Sequence, residues 1–224
     1  MTLCLQGGNE FSVGCQEMDG ALVDRAPGRV VVTALAGSPG RDYDTATANG
    51  VAHFRTVGAS DVVGAPDVRS DPAGALAMLR SARLLVLPGG SPLRLLRALT
   101  GTPVAALIRE LLADDVLVMG SSAGAMVLCS FTVLPDVRAA SGPGVEPGLA
   151  VAPGVAVLPH WTAGGRGDWQ RGLSEADPGL QLLGVPEESG VVLENGVLTA
   201  VGRTATRLLG QDRDLAPGQR WQLP

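Results

Sequence analysis

Four apolar runs in this chain each stop at glycine. Leu3–Gln6 ends at Gly7-Gly8, Arg29–Ala36 at Gly37, Ala82–Gly90 in a glycine pair, and Val116 onward at Gly120. Between them lie helix-length segments: Ser12–Arg25, Tyr43–Val57, Pro72–Ser81 and Val104–Ala113. The runs do not alternate polar with apolar, so both faces of each strand are expected to be covered. Apolar strands separated by helices predict a parallel sheet layered between helices. Asp71-Pro72 reads as a helix cap followed by a first-turn proline.

After Cys129 the texture changes. Ser141–Gly154 is rich in proline and glycine and reads as loops or short turns. Val155–Trp161 reads as a further strand. Gly190–Gly202 reads as two strands around Asn195-Gly196, a strong hairpin signal, and is expected to form an antiparallel edge. The predicted fold is therefore α/β, three-layered, with a mostly parallel sheet and a C-terminal antiparallel hairpin. With 224 residues, 46% of them hydrophobic, the chain can build a full core, and residues 1–224 are expected to form one domain.

Charge narrows the partners. The formal net charge is −5, and the sequence holds no lysine, so its 17 basic residues are all arginine. A mildly acidic chain without a basic block is a poor match for nucleic acid or an anionic membrane. Cys4, Cys15 and Cys129 have no metal-ligand spacing and read as reduced, partly buried thiols. No metal or cofactor is expected. The opening MTLCLQGGNEF has neither a basic n-region nor a long apolar stretch, so no signal peptide or membrane span is expected, and the expected location is cytoplasmic.

The chemistry centres on Val116–Leu128, VLVMGSSAGAMVL. Gly120-Ser121-Ser122-Ala123-Gly124 fits G-x-S-x-G, the pattern of a serine on a sharp strand-to-helix turn. Such a residue is crowded two positions away on either side, and glycine relieves the crowding. Ser122 is then a candidate nucleophile, with Ser121 pointing away; a small-residue packing turn or a phosphate loop is the alternative. A serine needs a base. His53 lies among small and polar residues and reads as a surface or half-buried helix residue. His160 ends the strand Val155–Trp161, where ligands collect on a parallel sheet, although capping a carbonyl there would also account for it.

The acid that orients the imidazole could be Asp168, Glu175, Asp177, Glu187, Glu188 or Glu194, with Asp136 upstream a weaker choice. Glu187 is the best placed, because it follows the short strand LLGVP and so sits near another strand end. An oxyanion hole needs backbone donors. Ala123 N–H and Gly90 N–H are the candidates, while Pro92 has none to give.

Taken together, Gly7-Gly8, Val86–Leu96, Gly120–Leu128, Leu158–Trp161 and Gly184–Gly190 resemble the serine peptidase family of aspartyl dipeptidase (peptidase E) and cyanophycinase. The resemblance implies a class I glutamine amidotransferase-like fold. It places the nucleophile on Ser122, the base on His160, the acid on Glu187 and the oxyanion donors on Gly90 and Ala123. The order Ser, His, acid differs from the Ser, acid, His of α/β-hydrolases. Glutamine amidotransferases use cysteine and a glutamate two residues after the histidine, where this chain has Thr162. Within the family, a dipeptidase preferring N-terminal Asp is expected, with Arg166, Arg171 and Ser91 near the substrate and Arg94 a further candidate for its carboxylate. The expected partner is a small peptide, and a homodimer is one possible assembly. A non-catalytic module on the same fold, an esterase or amidase, and a cyanophycinase-like enzyme are the alternatives.

Overall fold

The computed structural model describes residues 1–139, 142–163 and 165–223. Its first half runs β1 (Thr2–Gln6), α1 (Gln16–Arg25), β2 (Arg29–Val32), α2 (Arg41–Thr56), β3 (Asp61–Gly64), α3 (Pro72–Arg80), β4 (Leu84–Leu87), α4 (Pro92–Thr100), α5 (Val104–Ala113), β5 (Leu117–Ser121) and α6 (Ala123–Leu128). The second half runs β6 (Phe131–Ala139), β7 (Gly142–Pro147), β8 (Val155–Pro159), α7 (Gly167–Ala176), β9 (Gln181–Val185), β10 (Ser189–Glu194), β11 (Val197–Gly202), β12 (Thr206–Leu209), β13 (Arg213–Leu215) and β14 (Arg220–Gln222).

The main sheet has the order β14-β11-β10-β1-β5-β4-β2-β3. The five strands from β1 to β3 in that order are parallel, and β10, β11 and β14 add to β1 in antiparallel fashion. Strand residues alternate between two cores, as the pleat requires. Leu3, Leu5, Val31, Leu85, Leu87 and Val118 pack with residues of α3, α4, α5 and α6. Cys4, Val30, Val32, Leu84, Val86 and Met119 pack on the other face with Leu22 of α1 and Phe54 of α2. Each such aliphatic side chain contributes about 1.5–3 kcal/mol on burial, so the two faces hold the site's scaffold rigid.

A second sheet, β13-β12-β9-β8, pairs β8 and β9 in parallel. With Met126, Val133 and Leu173 its residues Ala156, Leu158 and Leu182 make a smaller core, against which Trp161 and Trp169 pack. Asp71 caps α3 by accepting Gly74 N–H at 2.9 Å, with Pro72 in the first turn. Asn195 and Gly196 turn the β10–β11 hairpin with φ of 50° and 76°, the left-handed pair such a turn needs.

Four expectations change. The proline- and glycine-rich stretch from Ser141 is not only loop: β7 pairs with β6 in a two-stranded ribbon. A ribbon has free edges on both sides, where proline's missing N–H costs nothing. The β10–β11 hairpin is not the sheet edge, because β14 covers β11. The first helix begins at Gln16 rather than Ser12, after a short 3₁₀ turn. The three cysteines are fully rather than partly buried. Among the described residues, no helix is long and apolar enough to cross a membrane.

Candidate active site

Ser122 sits between β5 and α6 with φ 49° and ψ −107°, a backbone conformation that costs an ordinary residue about 1–3 kcal/mol. Both flanking glycines are required by space. A methyl group on Gly120 would lie 2.5 Å from the Gly124 carbonyl, and one on Gly124 would lie 2.0 Å from Leu87 O. Ser121 is buried and donates its hydroxyl to Glu10 Oε2 at 3.0 Å. Ser122 remains partly exposed at the carboxyl end of β5.

The end of β1 docks the segments that carry the site. Gln6 O accepts Ser122 N–H at 2.9 Å, Gly7 O accepts His160 N–H at 2.8 Å, and Gly8 O accepts Glu188 N–H at 3.0 Å. Three consecutive carbonyls thus fix three segments distant in sequence. This close approach explains the glycine pair. A methyl on Gly7 would lie 2.1 Å from Pro186 O, and one on Gly8 would lie 2.2 Å from His160 Cε1.

His160 follows β8 in a left-handed conformation, φ 51°. Its Nε2 lies 2.9 Å from Ser122 Oγ, and its Nδ1 lies 2.8 Å from Glu187 Oε1. A carboxylate only accepts, so Nδ1 carries the proton and Nε2 offers its lone pair to the serine. Glu187 lies in the turn between β9 and β10 and is about half exposed. Its neighbour Glu188 faces elsewhere, accepting from Asn9 Nδ2 and Ser12 Oγ and pairing with Arg203. Of the other acids, Asp168 pairs with Arg171, Glu194 with Arg25, and Asp177 accepts Gly179 N–H. The side chain of Asp136 lies outside the described residues.

His53 is neither the surface nor the half-buried residue that its small and polar neighbours suggested. It is buried, with Nε2 2.7 Å from Asp19 Oδ2 and its ring against Phe11 and Phe54. Thr47 and Gly50 are buried with it, and a methyl on Gly50 would lie 2.8 Å from Val32 Cγ1 of β2, so these small residues let α2 approach the sheet closely. Burial raises the Asp19 carboxyl, the His53 bond opposes that shift, and the Glu10 charge adds to it.

Three successive N–H groups follow β4. Gly89 donates to Glu10 Oε1 at 2.6 Å, and Ser91 donates to Ala36 O at 3.1 Å. Among the described residues Gly90 N–H has no acceptor, and its φ of 136° suits only glycine. Ala123 opens α6, so its N–H has no partner within the helix. Glu10, which no motif marks in the sequence, therefore ties the Gly89–Gly90 segment to the serine turn.

The arginines divide. Arg166 precedes α7 and stacks on Trp169 with 4.1 Å from Cζ to the ring centroid, and burial lowers its pKa. Arg171 is exposed and pairs with Asp168. Ser91 caps α4, accepting Arg94 N–H at 3.3 Å. A cavity of about 640 Å³ opens beside it, lined by Ser91, Arg69, Arg94 and Arg97 among others. Arg69 and Arg94 clamp Gly37 O and Ala36 O at its wall, while Arg97 has no ion-pair or hydrogen-bond partner among the described residues. Among the described residues no cluster of three His, Cys, Asp or Glu side chains could hold a metal ion.

The model of peptidase family S51 matches residues 28–201. Two solved structures share the fold. A peptidase from an acI-B1 actinobacterium superposes with a TM-score of 0.84 at 19% identity, over 99% of this chain and 96% of that one. A peptidase E-type protein from Listeria monocytogenes EGD-e superposes with a TM-score of 0.66 at 16% identity, over 91% of this chain and 98% of that one. No curated protein matches the chain.

Proposed function

Because the chain belongs to peptidase family S51, and so to a family of serine peptidases, we propose that it cleaves dipeptides through an acyl-enzyme formed on Ser122. The observation that carries this reading is the continuous relay of 2.9 Å and 2.8 Å from Ser122 through His160 to Glu187, built on a strained strand-to-helix turn. Ser122 Oγ attacks the scissile carbonyl carbon while its proton passes to His160 Nε2. Glu187 holds the imidazole in the competent tautomer and offsets the charge it gains. Gly90 and Ala123 N–H groups stabilise the oxyanion. Collapse of the tetrahedral intermediate breaks the C–N bond, and His160 returns the proton to the departing amine. Water, deprotonated by the same histidine, then hydrolyses the ester and restores Ser122. The strand order and site position also suit a class I glutamine amidotransferase-like fold.

The finer reading is a preference for Asp at the peptide N-terminus. A carboxylate drawn into a partly closed site without a cation costs several kcal/mol, and arginine is the only basic residue available besides histidine. Arg171 is engaged by Asp168 and Arg166 by Trp169. The cavity beside Ser91 offers, on Arg97, a guanidinium without a partner among the described residues, about two helical turns past Gly90, with Arg94 and Arg69 at its wall, which makes it the best match for that side chain. The test is hydrolysis of Asp-Leu and Ala-Leu by the wild type and by Ser122→Ala, Ser121→Ala and Arg97→Met. Ser122→Ala should lose turnover by several orders of magnitude, Ser121→Ala should retain most of it, and Arg97→Met should raise KM for Asp-Leu only. Turnover by Ser122→Ala near the wild-type rate refutes the mechanism. A wild-type preference ratio near one refutes the Asp preference alone.

A further inference from the structure

Glu10 is a carboxylate beside the nucleophile with no cation paired to it among the described residues. A methyl group placed on Gly89 would sit 2.9 Å from Glu10 Oε1 and 3.1 Å from Ser122 Cβ, so the acid and the serine both crowd the side of Gly89 that a side chain would occupy. Its two oxygens accept only neutral donors, Gly89 N–H and the Ser121 hydroxyl. Each carboxylate oxygen has two acceptor directions, so each keeps one free. No arginine, histidine or terminal amine pairs with it among the described residues. Its position is enforced by the backbone on both sides. Asn9 and Phe11 have φ of 55° and 67°; Asn9 is held by Glu188, and Phe11 is packed on His53 and Phe54.

Such a charge works against the reaction unless something offsets it. An oxyanion forming at Gly90 N–H would develop one residue away from Gly89 N–H, which already serves Glu10. A half-buried anion raises the energy of a second anion nearby. A cation delivered with the substrate would remove that penalty. In a dipeptide, the α-ammonium is separated from the scissile carbonyl by a single Cα, so it necessarily arrives within a few ångströms of the reacting carbon. We propose that Glu10 anchors the free α-ammonium group of the substrate, making the enzyme selective for peptides with an unblocked N-terminus. This rests on the peptidase reading above and extends it to the substrate's amine. Glu10 thereby has two tasks: it positions Gly89 and Ser121, and it selects a cationic N-terminus.

The experiment separates these tasks and does not depend on turnover. Asp-Leu and succinyl-leucine, which lacks only the amine, are titrated calorimetrically into Ser122→Ala and into Ser122→Ala carrying Glu10→Gln. Glutamine keeps the size and an acceptor oxygen for Gly89 N–H. Asp-Leu should bind the first protein about 10- to 100-fold more tightly than succinyl-leucine, the range for hydrogen bonds to a charged group, and Glu10→Gln should shrink that ratio by about tenfold or more. Equal affinity of the two ligands for Ser122→Ala, which needs no Glu10 variant, overturns the assignment. An equal loss of affinity for both on Glu10→Gln also overturns it and leaves Glu10 a purely structural clamp. Wild-type hydrolysis of Asp-Leu is followed in parallel. Discrimination without hydrolysis would refute the peptidase reading and not the anchor; hydrolysis without discrimination would refute the anchor and not the peptidase.

Discussion

Gly8→Ala should disable the enzyme while leaving it folded. The added methyl carbon would lie 2.2 Å from His160 Cε1, 2.7 Å from Nδ1 and 2.8 Å from Nε2. Ordinary carbon contacts are about 3.5–4.0 Å, so the imidazole must retreat by more than 1 Å. It cannot do so and keep its 2.9 Å and 2.8 Å bonds to Ser122 and Glu187. A misplacement of about 1 Å at a reacting group costs on the order of 100-fold in rate. Alanine at φ 124° adds about 1–3 kcal/mol of backbone strain, which for a chain of this size lowers the melting temperature by roughly 2–12 °C. The obstacle is the far end of one side chain, so the ring swings aside and the fold survives. Gly7→Ala is the contrast, because its methyl would meet the Pro186 and Val185 carbonyls, which cannot swing aside; that variant should lose stability first. The assay is kcat for Asp-Leu beside circular dichroism and a melting curve. A Gly8→Ala enzyme with kcat within about threefold of wild type would mean that His160 does not need the space beside Gly8.

Glu187→Gln should lower kcat by on the order of 100-fold, less than the roughly 10⁴-fold known for a fully buried triad acid, because Glu187 is half exposed and water can partly replace it; Glu188→Gln should instead loosen the loop and leave kcat closer to wild type, as steady-state kinetics will show. Cys129, which burial pushes up to about 12, and Cys4, which burial pushes higher still, should resist iodoacetamide in the native protein and react only after denaturation, as mass spectrometry would show. Burial would raise the Asp67 carboxyl, but the hydrogen bonds and charge of Arg69 outweigh it and hold it below its ordinary 3.8. Its contribution is then present above that value and disappears as pH falls through the lowered one. The melting temperature of Asp67→Asn should therefore trail wild type at pH 6 and converge with it in strong acid.

Several elements were legible because one local rule decided them. The apolar runs ending in glycine gave β1, β4 and β5, Asp71-Pro72 gave the start of α3, and Asn195-Gly196 gave the β10–β11 turn. Ser122, His160 and Glu187, which the fold brings into hydrogen-bond contact, could be singled out as candidates because G-x-S-x-G and strand-end positions restrict where a nucleophile, base and acid can stand. Its place after the short strand LLGVP favours Glu187 over its neighbour Glu188; the turn that joins β9 to β10 then points the first at His160 and the second at Asn9 and Ser12. Other features depend on contacts between distant segments. Nothing near Glu10 signals that Gly89 and Ser121 will meet its carboxylate, 79 and 111 residues away. His53 was misread because the small residues of α2 serve packing, not solvent. The β6–β7 ribbon was missed because its prolines break the usual strand pattern at edges where pairing is not needed. Gly7-Gly8 stood out, but the reason for it, the three carbonyls that dock the site, exists only once the chain is folded.

Activation of Ser122 by His160 can be read out by treating the protein with a fluorophosphonate and mapping the adduct by mass spectrometry. One phosphonylated residue is expected, Ser122, with labelling lost in His160→Ala and retained in His53→Ala. An adduct on Ser121, labelling that survives His160→Ala at the wild-type rate, or a protein that stays unlabelled would contradict it.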